Sequence, residues 1–392
     1  MLPEGWKEER LGDLCEKISD GIHTTPNYDE NSDVFFVNGN NIQTDGLNFF
    51  ENTKKVSQRD YEKYKKDIGS NTILMSINGT IGNTCLYNNE RVVLGKSACY
   101  LNIKKSIDLI FILHSLRSSH LQNYFLSELT GTTIRNLSLK TIKSSNILLP
   151  PLPEQKKIAA ILSTWDRAIE GTEKLLANSQ QQKKALMQQL LTGKKRLPGF
   201  TGEWKSLKLK TFLQESIIPS PQPDPKKRIT VRLSLNGVEK REVRGTESID
   251  ATNYFTRKAG QFIYGKQNIH KGAFGIIPKI LDGFETSQDI PCFDFLPNAC
   301  SAWLFYYLAR ENIHNTLETK MTGTGSKRLN QKTFLNLTCL APPLSEQKAI
   351  AAVLTTADEE ITALESDLAR LRQEKKALMQ QLLTGKRRVT VD

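Results

Sequence analysis

Several kinds of chemistry are missing from this 392-residue sequence. Its six cysteines, Cys15, Cys85, Cys99, Cys292, Cys300 and Cys339, include no Cys-x-x-Cys pair, and its five histidines fall at no ligand-like spacing from them. Neither a zinc site nor a disulfide framework is therefore expected, and the thiols read as buried and reduced. No run approaches the ~18 apolar residues of a membrane span, and the opening MLPEGWKEERL lacks the apolar core of a signal peptide, so a cytoplasmic chain is expected. There is no NPPY or DPPY tetrapeptide for amino-methylation and no strand-associated GxGxxG for a nucleotide cofactor. Gly95-Lys96-Ser97 imitates the end of a phosphate-binding loop, but Glu90 stands where its first glycine belongs. Pro223-Asp224 ahead of Glu239-Lys240 loosely resembles a metal nuclease, yet Asp224 sits among prolines and Arg241 replaces the lysine such a site needs. No catalytic residue, metal or cofactor is expected in this chain.

Cations, by contrast, are in excess. Lys and Arg number 54 against 42 Asp and Glu, a formal charge of +12, which favours a polyanionic partner because each phosphate neutralised releases condensed counterions. The length suits two or three domains, and 38% hydrophobic with 24% charged residues fits a globular protein.

The strongest signal is duplication. KKALMQQLLTGK runs from Lys183 to Lys194 and again from Lys375 to Lys386; PPLPEQKKIAAILSTWD from Pro150 to Asp166 returns as PPLSEQKAIAAVLTTAD from Pro342 to Asp358, at the same offset. The period is domain-sized, too long for a solenoid. Both copies read as long helices. In the first, Ile158, Leu162, Trp165, Ile169, Thr172, Leu176, Ser179, Lys183, Leu186 and Leu190 alternate steps of four and three, the repeat of a coiled-coil seam. In the second the seam is Ile350, Leu354, Ala357, Ile361, Leu364, Leu368, Leu371, Lys375, Leu378 and Leu382. Glu154 and Glu346 suit helix starts, and Gly193 and Gly385, each followed by basic residues, suit left-handed caps. Each helix would span about 38 residues, roughly 57 Å. The two copies could cover each other, in either orientation, or each could pack on its own domain.

The segments before the helices also match. WKEERL (Trp6 to Leu11) resembles WKSLKL (Trp204 to Leu209), INGTIG (Ile77 to Gly82) aligns with HKGAFG (His270 to Gly275), and LTGTTIRNLS (Leu129 to Ser138) aligns with MTGTGSKRLN (Met321 to Asn330). Short β-branched or aromatic stretches such as VFFV, TILMSI, RVVL, QFIYG and NILLP read as strands. FILHSLRSSHLQNYFLSEL and SAWLFYYLARENIHNTLE read as amphipathic helices, and PSPQPDPKK as an exposed loop. Two mixed α/β domains follow, each leading into one helix.

Glycine-rich loops inside the domains place small residues beside amides and cations. In the first half the candidates are Asn38, Asn40, Asn41, Asn78, Thr80, Lys96, Thr132, Arg135 and Asn136; in the second, Lys266, Gln267, Asn268, Thr324, Ser326, Lys327 and Arg328. Such loops allow close backbone approach to phosphate, and Asn, Gln and Arg make bidentate contacts with base edges. Ordinary turn chemistry is the competing reading of any one loop.

LPPLPEQKKIAAILS, LAPPLSEQKAIAAVL and the repeated KKALMQQLLTG together resemble the specificity (S) subunit of type I restriction-modification systems, over the whole chain. WKEERLGDL and GTGSKRLN look like parts of that family's variable target-recognition domains. The resemblance implies a mixed α/β fold with two target-recognition domains, residues 1–149 and 196–341, separated by two long antiparallel coiled-coil helices, 150–195 and 342–392, as a pseudo-twofold internal repeat. It implies a non-catalytic DNA-recognition subunit reading a bipartite double-stranded target. Two methyltransferase (M) subunits and restriction (R) subunits would be its partners, carrying S-adenosylmethionine, ATP and magnesium. The alternatives are a coiled-coil DNA-binding scaffold of a modification-only or other defence complex, and an enzyme acting on DNA by itself.

Overall fold

The computed structural model describes residues 2–131, 135–243, 253–323 and 326–391. It divides into two compact units, one made of 1–173 and 366–392, the other of 174–365.

In the first unit, strands β1 (Lys7–Arg10), β2 (Cys15–Asp20), β3 (Thr72–Ser76), β4 (Thr84–Leu86), β5 (Ala98–Ile103) and β6 (Asn146–Leu149) build two sheets. An antiparallel four-stranded sheet has the order β2-β5-β3-β4, and β1 pairs with β6 from Lys7 opposite Leu149 to Arg10 opposite Asn146. The central strand β3 is buried along its whole length, which explains its unbroken TILMS sequence. Helices α1 (Leu109–Leu116), α2 (Ser119–Ser127) and α3 (Leu139–Ser144) lie in the same domain. Because β1 and β6 are partners, the chain leaves the domain where it entered and runs directly into α4 (Leu152–Leu190).

The second unit repeats this plan. Strands β7 (Lys205–Lys208), β8 (Leu213–Ser216), β9 (Phe262–Tyr264), β10 (Phe274–Ile276), β11 (Cys292–Phe295) and β12 (Thr338–Ala341) form a sheet of order β8-β11-β9-β10 and a β7-β12 pair. Its helices are α5 (Ser301–Leu308), α6 (Glu311–Thr319) and α7 (Gln331–Leu335), and the chain continues into α8 (Leu344–Leu382). The amphipathic stretch expected as one helix in each domain is two helices. Ser118 stops α1 and caps α2, its hydroxyl accepting from the Leu121 amide at 3.3 Å, and extended Arg310 makes the same break before α6.

The long helices each contain 39 residues. Gly193 and Gly385, past their C-termini, have φ of +71° and +70°, the left-handed caps expected there. Within each unit the helix segments run antiparallel. In the first, Asp166 pairs with Lys375 and Glu173 with Arg372; in the second, Ser179 donates to Glu360 and Lys183 pairs with Asp358. Every seam position named above is buried or half-buried. The helix ends also enter the domain cores: Ile158, Leu162 and Leu382 pack with the first domain, Ile350, Leu354 and Leu190 with the second. Mutual cover and packing on the domain, alternatives in the sequence, thus coexist along each helix.

The duplicated PEQ and SEQ tripeptides have matching tasks. Glu154 is buried and accepts from the Trp6 indole at 3.2 Å and from Arg388 at 3.0 Å. Glu346, fully buried, accepts from Trp204 at 3.1 Å and from Arg196 at 2.5 and 2.6 Å. Gln155 donates to the Pro150 carbonyl and accepts from the Asp108 amide; Gln347 does the same with Pro342 and Cys300. Each long helix therefore starts against its own domain and is clasped by an arginine just beyond the end of the antiparallel helix.

Candidate nucleic-acid interface

The first domain brings its separate candidate loops to one place. The 3-10 turn Gly39–Asn41 is held by Ser97, whose hydroxyl accepts from the Gly39 amide at 2.9 Å and donates to Asn38 Oδ1 at 3.0 Å. Thr80 donates to the Gly39 carbonyl at 3.2 Å, and Asn78 bridges Asn136 in antiparallel fashion. A Cβ on Gly39 would lie 2.8 Å from the Asn78 carbonyl oxygen, so this approach of two loops requires glycine. Asn40, Thr80, Lys96 and Arg135 are exposed, and Asn38, Asn78 and Asn136 half-buried. Asn78 Oδ1 is enclosed with no hydrogen-bond partner among the described residues. Asn41 is a different case. It is buried and gives its side chain to the Asn38 amide, the Asn48 carbonyl and Thr53, so its polar atoms hold the turn together. Thr132 lies outside the described residues.

In the second domain, Lys266, Gln267 and Asn268 precede the 3-10 turn Ile269–Lys271, and the Leu329 amide donates to the Lys266 carbonyl at 2.9 Å. Gln267, Ser326, Lys327 and Arg328 are exposed, Lys266 and Asn268 half-buried. The Arg328 guanidinium meets Asp289 at 3.2 Å. Thr324 lies outside the described residues.

Backbone hydrogen bonds show which positions correspond. Ile77 donates to Ser97 O and accepts from Leu137 N; Lys266 donates to Asp289 O and accepts from Leu329 N. Thr130 and Asn136 exchange both backbone bonds, as do Thr322 and Arg328. The 129–138 segment thus matches 321–330 as aligned in the sequence. The alignment of INGTIG with HKGAFG does not hold: Ile77 corresponds to Lys266 and Asn83 to Ala273, so the connection is one residue longer in the second domain. The equivalent seats in the two domains are Ser97 and Asp289, and Asn136 and Arg328.

Away from the loops, each unit has a cleft between its duplicated helix segment and the turn joining two short helices. One, about 280 Å³, is lined by Lys376, Met379, Gln380 and Thr384 facing Ser118 and His120. The other, about 750 Å³, is lined by the same four residue types, Lys184, Met187, Gln188 and Thr192, facing Arg310 and Asn312. One wall is repeated and the other differs.

Burial pushes the thiols of Cys15, Cys85, Cys292 and Cys339 up to about 12, which keeps them protonated and unreactive. Among the described residues no cluster of His, Cys, Asp or Glu is arranged to hold a metal ion, and no helix is long and apolar enough to cross a membrane. The Glu154 and Glu346 clasps escaped the sequence reading, although Trp6 and Trp204, and Arg196 and Arg388, stand at matching places in the repeats.

Comparison with known proteins agrees with this architecture. The model of the type I restriction modification DNA specificity domain matches residues 3–179 and 229–371. The type I restriction enzyme MjaVIII specificity subunit of Methanocaldococcus jannaschii is 25% identical over 99% of this chain and 94% of its own length. The putative MjaX specificity subunit of the same organism is 26% identical over 99% and 95%. Among solved structures, the type I restriction-modification S subunit from M. genitalium has a TM-score of 0.62 at 16% identity, covering 96% of each chain. A structure from work on complex assembly and conformational transition of the type I R-M system has a TM-score of 0.58 at 17% identity, covering 99% of this chain and 100% of its own. With two matched segments that take in most of its length and one internally repeated fold, the chain belongs to the type I restriction-modification DNA specificity family.

Proposed function

We propose that this chain is the non-catalytic reader of a type I restriction-modification complex. Residues 1–149 and 196–341 would each read one half of a bipartite double-stranded DNA site, while 150–195 and 342–392 dock two methyltransferase subunits, with restriction subunits joining. The observation that carries this reading is the contrast between identical helix walls and divergent loops on one repeated scaffold. Two copies of one partner need matching surfaces, and the repeated Lys-Met-Gln-Thr walls supply them. Two different half-sites need different side chains on the same frame, as at Asn136 and Arg328. The excess of 12 positive charges favours DNA, and the likeness to a chain solved in work on complex assembly supports a multisubunit setting. S-adenosylmethionine, ATP and magnesium chemistry belongs to the partners, in the cytoplasm.

The test is to sequence modified adenines in cells carrying the cognate methyltransferase with and without this chain. A bipartite methylation motif that appears only with the chain is expected. Methylation independent of the chain, or a continuous motif, would overturn the reading, and a motif without restriction of unmodified DNA would favour a modification-only complex.

A further inference from the structure

The two domains present different side chains at one pair of equivalent seats. In the first, the seats hold Ser97 and Asn136, both neutral; in the second they hold Asp289 and Arg328, whose side chains meet at 3.2 Å. Arg328 is 48% and Asp289 44% exposed, so the pair stands at the surface, beside the exposed Gln267 and Lys327. A surface ion pair of this kind contributes little to stability. The backbone holds both residues in place nevertheless: Arg328 exchanges hydrogen bonds with Thr322 at 2.8 and 3.0 Å, and Lys266 is bonded to Leu329 at 2.9 Å and to Asp289 at 3.0 Å.

We infer that Arg328 reads a guanine in the half-site of the second domain and that Asp289 is its positioning residue. The inference rests on the reading of the chain as a DNA-recognition subunit. A guanidinium offers a planar fork of donors, and guanine alone presents two acceptors, O6 and N7, side by side on its major-groove edge. Asp289 engages only Nη1 of the half-exposed guanidinium, and no hydrogen bond from its other N–H groups is found among the described residues. A carboxylate at this place makes it a poor seat for a phosphate, since like charges repel. The guanidinium that Asp289 holds therefore suits the paired acceptors of a guanine edge and not the DNA backbone. In the first domain the equivalent Asn136 offers an amide, whose donor and acceptor match adenine instead.

The test uses the full chain assembled with its methyltransferase subunits, reading both affinity and methylation motif for the wild type, Arg328→Ala, Arg328→Lys and Asp289→Asn. The wild-type motif is expected to hold a guanine in one half-site. Arg328→Ala should relax that one position about tenfold or more and leave the other half-site intact. Arg328→Lys should keep most of the affinity while losing the discrimination, and Asp289→Asn should weaken discrimination less than either. Unchanged motifs in all three variants, or a uniform loss of affinity with the motif preserved, would overturn the assignment while leaving the DNA-reading function standing. A wild-type complex with no sequence-selective binding would overturn both.

Discussion

Glu346 has no exposed surface and still carries a carboxylate, which the interior tolerates only because Arg196 and Trp204 supply three donors to it. Replacing it by Ala strands the indole N–H and the guanidinium, and the expected cost is about 1 to 3 kcal/mol. Glu154→Ala should cost a similar amount through Trp6 and Arg388, and thermal denaturation of both variants checks this; melting points unchanged in either would show that clasp idle. His114 is the second residue with a measurable consequence. It is buried at 1% exposure, and loss of hydration lowers its pKa from 6.5 to about 4, against the opposing pull of Asp166 at 3.8 Å. The unfolded chain takes up a proton between those pH values and the folded chain does not. Stability is therefore full above pH 6.5 and falls as the pH drops toward 4, by up to on the order of 3 kcal/mol. At the equivalent place Tyr306 donates to Asp358 at 2.6 Å. His114→Tyr should copy that arrangement onto Asp166 and flatten the acid limb in a pH series of denaturant melts; a slope unchanged from wild type would assign it to other groups.

At the scale of elements, the long helices were the most legible part of the sequence. The four-three spacing, the glutamates at their starts and the glycines at their ends specify where they begin, which face is covered and where they stop, because all these signals are local. Orientation was not legible, since it is decided by pairs such as Asp166 with Lys375, far apart in the chain. The break between α1 and α2 was missed because the apolar rhythm continues through it, and only Ser118, whose hydroxyl takes up the Leu121 amide, marks the stop. The lysines at seam positions 183 and 375 look like defects in an apolar stripe. The structure instead gives each an aspartate on the antiparallel segment, a device that fixes register. Lys183→Asp should place two carboxylates together and lower stability by about 1 kcal/mol, and adding Asp358→Lys should restore much of the loss. Additive effects in this double-mutant cycle would show that the pair sets no register.

For the whole molecule, the excess of cations predicts how the assembled complex meets DNA. Neutralising ~6 to 10 phosphates gives a log-log salt slope of about −5 to −9, and binding that is flat between low and moderate salt would remove the electrostatic basis of the proposed function. The loops that gather at the candidate interface were legible as glycine-rich turns, but their companions were not. Asn41 is as polar as Asn40 and one residue away, yet one is buried in the frame and the other exposed. Asp289, the partner of Arg328, carries no motif at all and acquires its place only through the fold.

The division into units has a consequence in time as well as in space. The second unit is one continuous stretch, 174–365, whereas the first is interrupted and needs 366–392 to supply Leu382 for its core and Arg388 for its clasp. At ~5 to 20 residues per second of synthesis, the first domain waits on the order of ten to forty seconds after its own last residue leaves the ribosome before those pieces arrive. The unit begun later is thus complete earlier. Throughout that interval the apolar seats for Leu378 and Leu382 lack their native occupants on the nascent chain, the kind of exposed surface on which chaperones act.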